Sequence, residues 1–227
     1  PIRKILVPAS LMFVVFMVVM ATTPQLLQSV IEEKMSRISE VLLGSVSPFE
    51  LMMGKLLGNV GIAMLLASLY VSGGYAVATY FEYTEDISPA LLASTALFIA
   101  MAVLLYGSLY LAMGSACSEL KDAQSLMMPV MLLSMMPMFF WFAVVRAPNS
   151  ALSVGLSLFP FSTPYLMLLR MATIPGPPAW QVVLSIVLTA LTVIACLWAA
   201  GKIFRVGLLM QGKPPSLVQM ARWVMMR

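Results

Sequence analysis

Hydrophobic positions run almost unbroken along the chain, and charge interrupts them at only a few points. Six stretches carry no charged residue, and each is at least as long as the roughly 20 residues that a helix needs to cross a bilayer. They span 5–31, 56–81, 87–118, 123–145, 147–169 and 171–201. These stretches are apolar on every side, whereas a soluble helical core needs polar faces at helical spacing. The pattern predicts an all-α integral membrane protein, with residues 1–227 in one transmembrane domain.

The positions of Lys and Arg orient the predicted bundle. Basic residues cluster in 34–55, at Lys121 and in the tail 205–227 with Lys202 just before it, and cytoplasmic loops carry an excess of such residues. The loop with Glu82, Glu85 and Asp86 has none, so we expect it outside. This arrangement fits five crossings, the first running from outside to inside, with the tail 205–227 in the cytoplasm.

Five crossings leave one of the six stretches without a span, and the fifth is interrupted by Pro160 and Pro164. Proline removes a backbone donor and breaks a helix. We therefore expect two short helices, 150–158 and 163–171, in a re-entrant hairpin (150–172) on the outer side. Thr163 is the predicted N-cap and Pro164 the first helical residue. Irregular backbone at that depth must be buried in protein or line water.

Two further expectations concern packing and the start of the chain. Small residues mark one face of the second crossing and one of the third, which favours close helix packing; they are Gly54, Gly58 and Gly61, and Ser108, Ala112 and Ser115. The topology also puts Arg3 and Lys4 outside, against the usual bias. Because the chain begins at Pro1, we expect an earlier span upstream, and this chain to be the C-terminal part of a longer protein.

The segment 31–50 carries the highest density of charge. Ile31, Met35, Ile38 and Leu42 recur at helical spacing, and charged residues with ion-pairing separations follow another face, namely Glu33, Arg37 and Glu40. This predicts an amphipathic helix over 31–43. Gly44 is the expected C-terminal cap, and the run 47–50, Ser-Pro-Phe-Glu, predicts a capping box that starts the second crossing.

An interfacial helix of this kind rests on lipid headgroups or docks on a soluble partner. Acidic residues outnumber basic ones here, with Glu32, Glu33, Glu40 and Glu50 against Lys34 and Arg37. Anionic lipid would repel that balance. We therefore predict partner docking, with the lipid surface as the alternative.

Composition excludes several classes of chemistry. Hydrophobic residues make up 61% of the 227 and charged residues 10%, and His is absent, so His-based catalysis and the usual zinc sites are excluded. Cys117 and Cys196 are expected to be buried thiols outside any disulfide or metal site. The Gly-Lys pairs at 54–55, 201–202 and 212–213 lack the glycine-rich phosphate loop and its following Ser or Thr. We predict no catalytic residue, metal or cofactor in this chain, and no nucleic-acid binding.

Three runs carry a family resemblance. They are EEKMSRISEVLL at 32–43 with Ser47-Pro48 and LMMGK at 51–55, FPFSTP at 159–164, and RVGLLMQGKP at 205–214. Together they resemble the permeases of ABC type-2 exporters, most closely the sodium-efflux-type branch. Such permeases have six spans, with a large external domain before the second span in this branch. The resemblance implies that this chain is the second to sixth spans.

The resemblance also implies a mechanism and partners. The coupling helix that contacts a separate ATPase subunit would fall on Glu32, Glu33, Lys34, Arg37 and Glu40, with Glu50 at the start of the next span. A second coupling loop would hold Glu119, Lys121 and Asp122. ATP and Mg²⁺ would be on the ATPase, and the permease would pair with a second permease, identical or different, in the bacterial inner or plasma membrane. The implied function is export of an unidentified substrate.

The translocation path is harder to assign. The polar candidates are Tyr70, Tyr106, Tyr110, Ser134 and Arg170, and helix packing or interfacial anchoring explains each almost as well. An ion-coupled secondary transporter would place an Asp, Glu or Lys mid-membrane, and the predicted spans have none. A non-transporting scaffold or signalling subunit that recruits a soluble partner through 31–50 remains open.

Overall fold

The computed structural model describes residues 3–36, 44–80, 88–209 and 217–225. Within these residues the chain forms eight α-helices and no strand. They are α1 (Arg3–Met35), α2 (Pro48–Tyr80), α3 (Pro89–Ala116), α4 (Leu120–Arg146), α5 (Ala151–Leu158), α6 (Thr163–Met171), α7 (Ala179–Leu209) and α8 (Leu217–Met225).

Five of the described helices, α1, α2, α3, α4 and α7, are long and apolar enough to cross a membrane. The prediction of an all-helical protein with five crossings is therefore confirmed. The stretch that was predicted not to cross forms the short helices α5 and α6. Because the crossings alternate in direction, the C-terminal ends of α1, α3 and α7 lie at one end of the bundle.

Helix α3 forms the centre of the bundle and packs against α1, α2, α4, α6 and α7. Nearly every side chain from 98 to 117 is buried, as expected for a helix that is apolar on all sides. The peripheral helices expose large apolar side chains such as Leu57, Phe139 and Trp198. Exposed apolar side chains of this kind are suited to the hydrocarbon of a bilayer.

Small residues let the backbones of α1, α3 and α7 approach closely. A Cβ atom added at Gly114 would lie 2.8 Å from the carbonyl oxygen of Leu27, and one added at Gly207 would lie 2.8 Å from the backbone of Ser115. The predicted small face of α3, at Ser108, Ala112 and Ser115, is buried, and Ser115 makes the contact with Gly207. The predicted face of α2 differs, since added Cβ atoms at Gly54, Gly58 and Gly61 would meet no atom within 4 Å.

The two short helices confirm the predicted division of the hairpin but correct its cap. The N-cap of α6 is Ser162, not Thr163, and Ser162 makes no side-chain capping bond. Both hydroxyls bind carbonyls that come earlier in the chain. Ser162 Oγ donates to the Leu156 and Phe159 carbonyls, and Thr163 Oγ1 lies 2.9 Å from the Ser157 carbonyl oxygen. They satisfy carbonyls that lose helical partners where α5 ends. Residues 163–170 are all buried, while the membrane depth of the pair stays a prediction.

The charged segment 31–50 is only partly described. Helix α1 continues without a break through Ile31, which is fully buried, to Met35, so the first crossing and the start of the predicted 31–43 helix form one helix. Residues 37–43, with Arg37 and Glu40, lie outside the described residues, and a separate coupling helix stays a prediction. Helix α2 begins at Pro48, as predicted.

The close approach of α1 and α3 predicts an unusual response to a Gly→Ala substitution. Such a change inside an exposed helix normally stabilises by up to about 1 kcal/mol. Gly114→Ala should instead destabilise by about 1–3 kcal/mol, because the new methyl group must push the Leu27 backbone away. The thermal unfolding midpoint of the purified protein in detergent should fall. The matched control is Gly155→Ala, where nothing lies within 4 Å; equal midpoints for the two variants would contradict the packing described.

Candidate coupling site

The ammonium group of Lys34 lies between the C-terminal ends of two neighbouring helices. Its Nζ atom donates to the carbonyl oxygens of Ser115 at 2.9 Å, Cys117 at 3.3 Å and Gly207 at 2.7 Å. Ser115 and Cys117 lie at the end of α3, and Gly207 is in the last turn of α7. The last four carbonyls of a helix have no partner within that helix. Lys34 supplies partners for these groups from a third helix.

Electrostatics explain why a cation occupies this position. The C-terminal end of a helix carries a partial charge of roughly −0.5, and α1, α3 and α7 all end here. Lys34 itself lies in the last turn of α1. We call this end of the molecule the Lys34 end and the opposite end the hairpin end. Lys34 was predicted to contact an ATPase, but its ammonium group is directed inward.

A second contact joins α1 to the start of α2. Lys55 Nζ lies 2.5 Å from Glu33 Oε1, and both side chains are partly buried. Glu33 lies before the connection between α1 and α2, and Lys55 lies after it. The ion pair therefore bridges that connection. Lys55 was not among the predicted site residues. Glu33 is thus also engaged within the chain.

The predicted capping box at the start of α2 is present. The Ser47 amide donates to Glu50 Oε2 at 2.8 Å, and the Glu50 amide donates to Ser47 Oγ at 3.3 Å. Each side chain satisfies a backbone donor that the helix leaves unpaired. The Glu50 carboxylate therefore stabilises the start of α2.

The second predicted coupling loop lies at the same end. Lys34 binds the Cys117 carbonyl, so the connection between α3 and α4 is adjacent to the end of α1. Glu119 occupies the N-cap position of α4 without a capping side-chain bond, and Glu119 and Lys121 are exposed. The Asp122 side chain lies outside the described part. Glu32 is exposed as well.

Helix α8 packs at this end, within the tail 205–227 that was predicted to lie here, although the helix itself was not predicted. Lys202 Nζ donates to the Val224 carbonyl oxygen at 2.9 Å and lies 4.2 Å from the centre of the Trp198 ring. Met220 is buried and Arg222 is exposed. Lys202 of α7 thus binds a carbonyl near the C-terminal end of α8.

At the hairpin end, Arg170 is fully buried and holds four chain segments together. Its Nε donates to the Pro148 carbonyl at 2.7 Å and its Nη1 to Ser157 Oγ at 2.6 Å. Its Nη2 donates to Gln181 Oε1 at 2.7 Å and to Asn149 Oδ1 at 3.2 Å. All these acceptors are neutral. Arg170 was a candidate for the translocation path, and here it joins α6 to α5, α7 and the connection after α4.

The other path candidates occupy different surroundings. Tyr106 is buried and donates to the Phe161 carbonyl at 2.7 Å, Tyr110 is buried, and Ser134 donates to the Met131 carbonyl at 2.8 Å. None of these three lines the cavity that lies between α1, α2 and α3. Tyr70 does line it, at the hairpin end, in a volume of about 440 Å³. The five candidates are therefore not brought together in one place.

A helical bundle with five crossings defines a multi-pass protein of the cell membrane. The chain belongs to the ABC-2 family of transporter proteins, whose family model matches residues 2–202. It is therefore a membrane subunit of the ABC transporter class, as the resemblance implied.

Two curated relatives come from distant organisms. The uncharacterized protein MJ1024 of Methanocaldococcus jannaschii is 29% identical over 205 residues, which cover 90% of this chain and 50% of that protein. The uncharacterized protein YhaP of Bacillus subtilis is 26% identical over 214 residues, covering 89% of this chain and 51% of that protein. The chain thus spans about half the length of these relatives. No solved structure matches the chain significantly.

The role assigned to Lys34 can be tested by removing its charge. Lys34→Met leaves three carbonyls without their donor, and hydrogen bonds to a charged group are worth about 1.5–3 kcal/mol each. We expect the thermal unfolding midpoint in detergent to fall by several degrees or more. Lys121→Met, at an exposed position of the same end, should change it little. If both variants unfold at the wild-type temperature, Lys34 does not stabilise the convergence of helix ends.

Proposed function

We propose that this chain is the permease part of an ABC exporter, driven by ATP that a separate subunit hydrolyses, and that the Lys34 end docks on that subunit. The observation that carries this proposal is the network around Lys34. It joins both candidate coupling segments to the ends of α1, α3 and α7. Membership of the ABC-2 transporter family supports the same reading.

The contacts provide a route by which a push at this end moves the bundle. The last turn of α1 is connected to α2 through the Glu33–Lys55 ion pair, and to α3 and α7 through Lys34. A displacement there acts on four membrane-crossing helices, because these bonds lie at the helix ends. Coupling requires a structural element that has two arrangements. The close contacts at Gly114 and Gly207 favour movement of α1, α3 and α7 as a unit.

Residues at this end divide into inward and outward groups. Lys34 and Glu33 are partly buried and make contacts within the chain, and Glu50 is exposed but caps the start of α2. Glu32, Glu119 and Lys121 are exposed. We assign recognition of the ATPase to the exposed group, which carries both signs of charge. Arg37 and Glu40 are proposed to extend this surface, although they lie outside the described residues.

The remaining assignments follow the family resemblance. ATP and Mg²⁺ are held by the partner, since this sequence has no glycine-rich phosphate loop. Two permeases, identical or different, pair to enclose the pathway. Transport runs outward, with the Lys34 end in the cytoplasm.

Sidedness has a direct test that uses exposed positions at the two ends. In a background without native cysteines, Ala147→Cys should react with an impermeant thiol reagent in intact cells. Gly44→Cys, which is also exposed, should react only after lysis, because the positive-inside bias puts the Lys34 end in the cytoplasm. The reverse pattern would invert the orientation and remove the Lys34 end from contact with a cytoplasmic ATPase.

Docking on the ATPase is tested by reversing one exposed charge. Glu32→Lys in the full-length permease should reduce co-purification of the ATPase and lower its permease-stimulated turnover by at least five-fold. Arg146→Glu is the matched control, since it reverses an exposed charge at the hairpin end and should leave both measurements unchanged. Normal binding and turnover with Glu32→Lys would count against the assignment. A partner that binds normally but shows no permease-dependent turnover would favour the scaffold alternative.

A further inference from the structure

The cavity at the hairpin end exists because α2 separates from the bundle part-way along its length. Its buried residues, Met52, Leu56, Asn59, Ala63 and Ala67, all lie in the first 20 residues of the helix. From 68 to 80 the residues are exposed or half-exposed, and Tyr70, Tyr75 and Val77 are 42%, 46% and 59% exposed. Near its start, α2 is held by Lys55 and by Leu56, which packs close to Gly107. A gap therefore opens towards its other end.

Three helices wall this gap, which has a volume of about 440 Å³. The lining comes from the beginning of α1, the last part of α2 and Leu92 of α3; it consists of Leu6, Val7, Ser10, Leu11, Val14, Tyr70, Val71, Gly73, Gly74, Tyr75, Val77, Ala78 and Leu92. The volume is within the range of small-molecule sites, about 300–1,000 Å³. The two adjacent glycines widen it, because neither backbone has a neighbour within 4 Å of a Cβ position.

The chemistry of the lining selects the ligand. Apolar side chains dominate, the polar side chains are Ser10, Tyr70 and Tyr75, and no charged residue lines the cavity. An ion would lose its hydration there without a counter-charge to compensate, which is strongly unfavourable. An apolar body with a single hydroxyl-sized polar group suits the lining, since a few placed polar groups fix orientation in such sites.

The size of the cavity also separates a small molecule from a helix. A helix is about 10 Å across with a rise of about 5.4 Å per turn, so 440 Å³ holds roughly one turn. The cavity lies among helices that are long and apolar enough to cross the membrane. A molecule dissolved in the bilayer therefore reaches it by lateral diffusion.

We propose that this cavity binds an uncharged amphipathic molecule taken from the bilayer, and that this class of molecule is the cargo of the exporter proposed above. The cargo assignment rests on the proposed function, whereas binding itself does not. Tyr70, the single path candidate that lines the cavity, becomes a residue that contacts cargo. An ion as cargo of this site is excluded by the same chemistry.

The test uses the full-length permease in lipid nanodiscs without ATPase or nucleotide. The probe is a long-chain alcohol carrying a photoactivatable diazirine, and the cross-linked residues are mapped by mass spectrometry. We expect labelling to concentrate at 6–14 and 70–78 and to be competed by excess unlabelled alcohol but not by Na⁺. Even labelling of the exposed faces of α2, α4 and α7, without competition, would overturn the proposal because it reports partition into lipid.

Filling the cavity provides the matched variants. Gly74→Phe should reduce the competed cross-linking at least five-fold, and Gly155→Phe, also placed in open space, should leave it unchanged. Val71→Trp is a second filling variant should Gly74→Phe fail to fold, with folding checked by thermal unfolding. Equal labelling of the filled and control variants would overturn the site, as would a disulfide between two copies at Tyr75→Cys, which would assign the gap to a second permease.

Cargo is tested separately in vesicles that contain the permease and its ATPase. Gly74→Phe should abolish ATP-dependent movement of the alcohol, while Gly155→Phe retains it. If the wild-type protein binds the alcohol but does not move it in an ATP-dependent way, the cargo assignment is overturned. Because the nanodisc experiment contains no ATPase, failure of ATPase docking and failure of the cavity to bind are distinguishable.

Discussion

Three helices that end at the same place bring their negative ends together, and the bundle depends on a cation that can stand between them. Lys34 meets this requirement with one ammonium group and three carbonyl oxygens. Its bonds can form only if α3 and α7 lie close enough for one side chain to reach both. Gly207 permits that distance, and Gly114 permits the close approach of α1 to α3. Close backbone packing and charge compensation are therefore parts of the same arrangement.

The opposite end follows a similar rule with different donors. Arg170 is buried among neutral oxygens, just as Lys34 binds neutral carbonyls. Between the two ends the bundle is held by apolar packing, which gives little specificity in a bilayer because lipid tails are as apolar as Leu. The polar contacts of Lys34 and Arg170 therefore specify which helix ends lie next to each other. The residues left exposed at the Lys34 end are the ones that remain for a partner.

Sequence reasoning reached the features that are encoded locally. Charge-free length gave six candidate stretches, and the positions of Lys and Arg reduced them to five crossings. Pro160 and Pro164 identified the stretch that forms two short helices, and the run 47–50 predicted the capping box. The role of Lys34 was out of reach because its acceptors are 81, 83 and 173 residues away along the chain. The hydrogen bonds of Arg170 to Gln181 and Asn149 also depend on how separate helices pack, which local sequence does not encode. The cap of α6 was misassigned because the Ser162 and Thr163 hydroxyls bind the carbonyls of α5 rather than the amides of α6.

Helix α2 is held to the bundle near its start, at Lys55 and Leu56. Beyond Ala67, none of its residues is buried against the other described helices. The Ser68, Ser72 and Thr79 hydroxyls in its outer part each bind a carbonyl of α2 itself, an arrangement that tends to bend helices. A small rotation at the fixed end is amplified along the unsupported length. A rotation at the base would therefore displace the outer tip of α2 more than the contacts near Lys55 and Leu56.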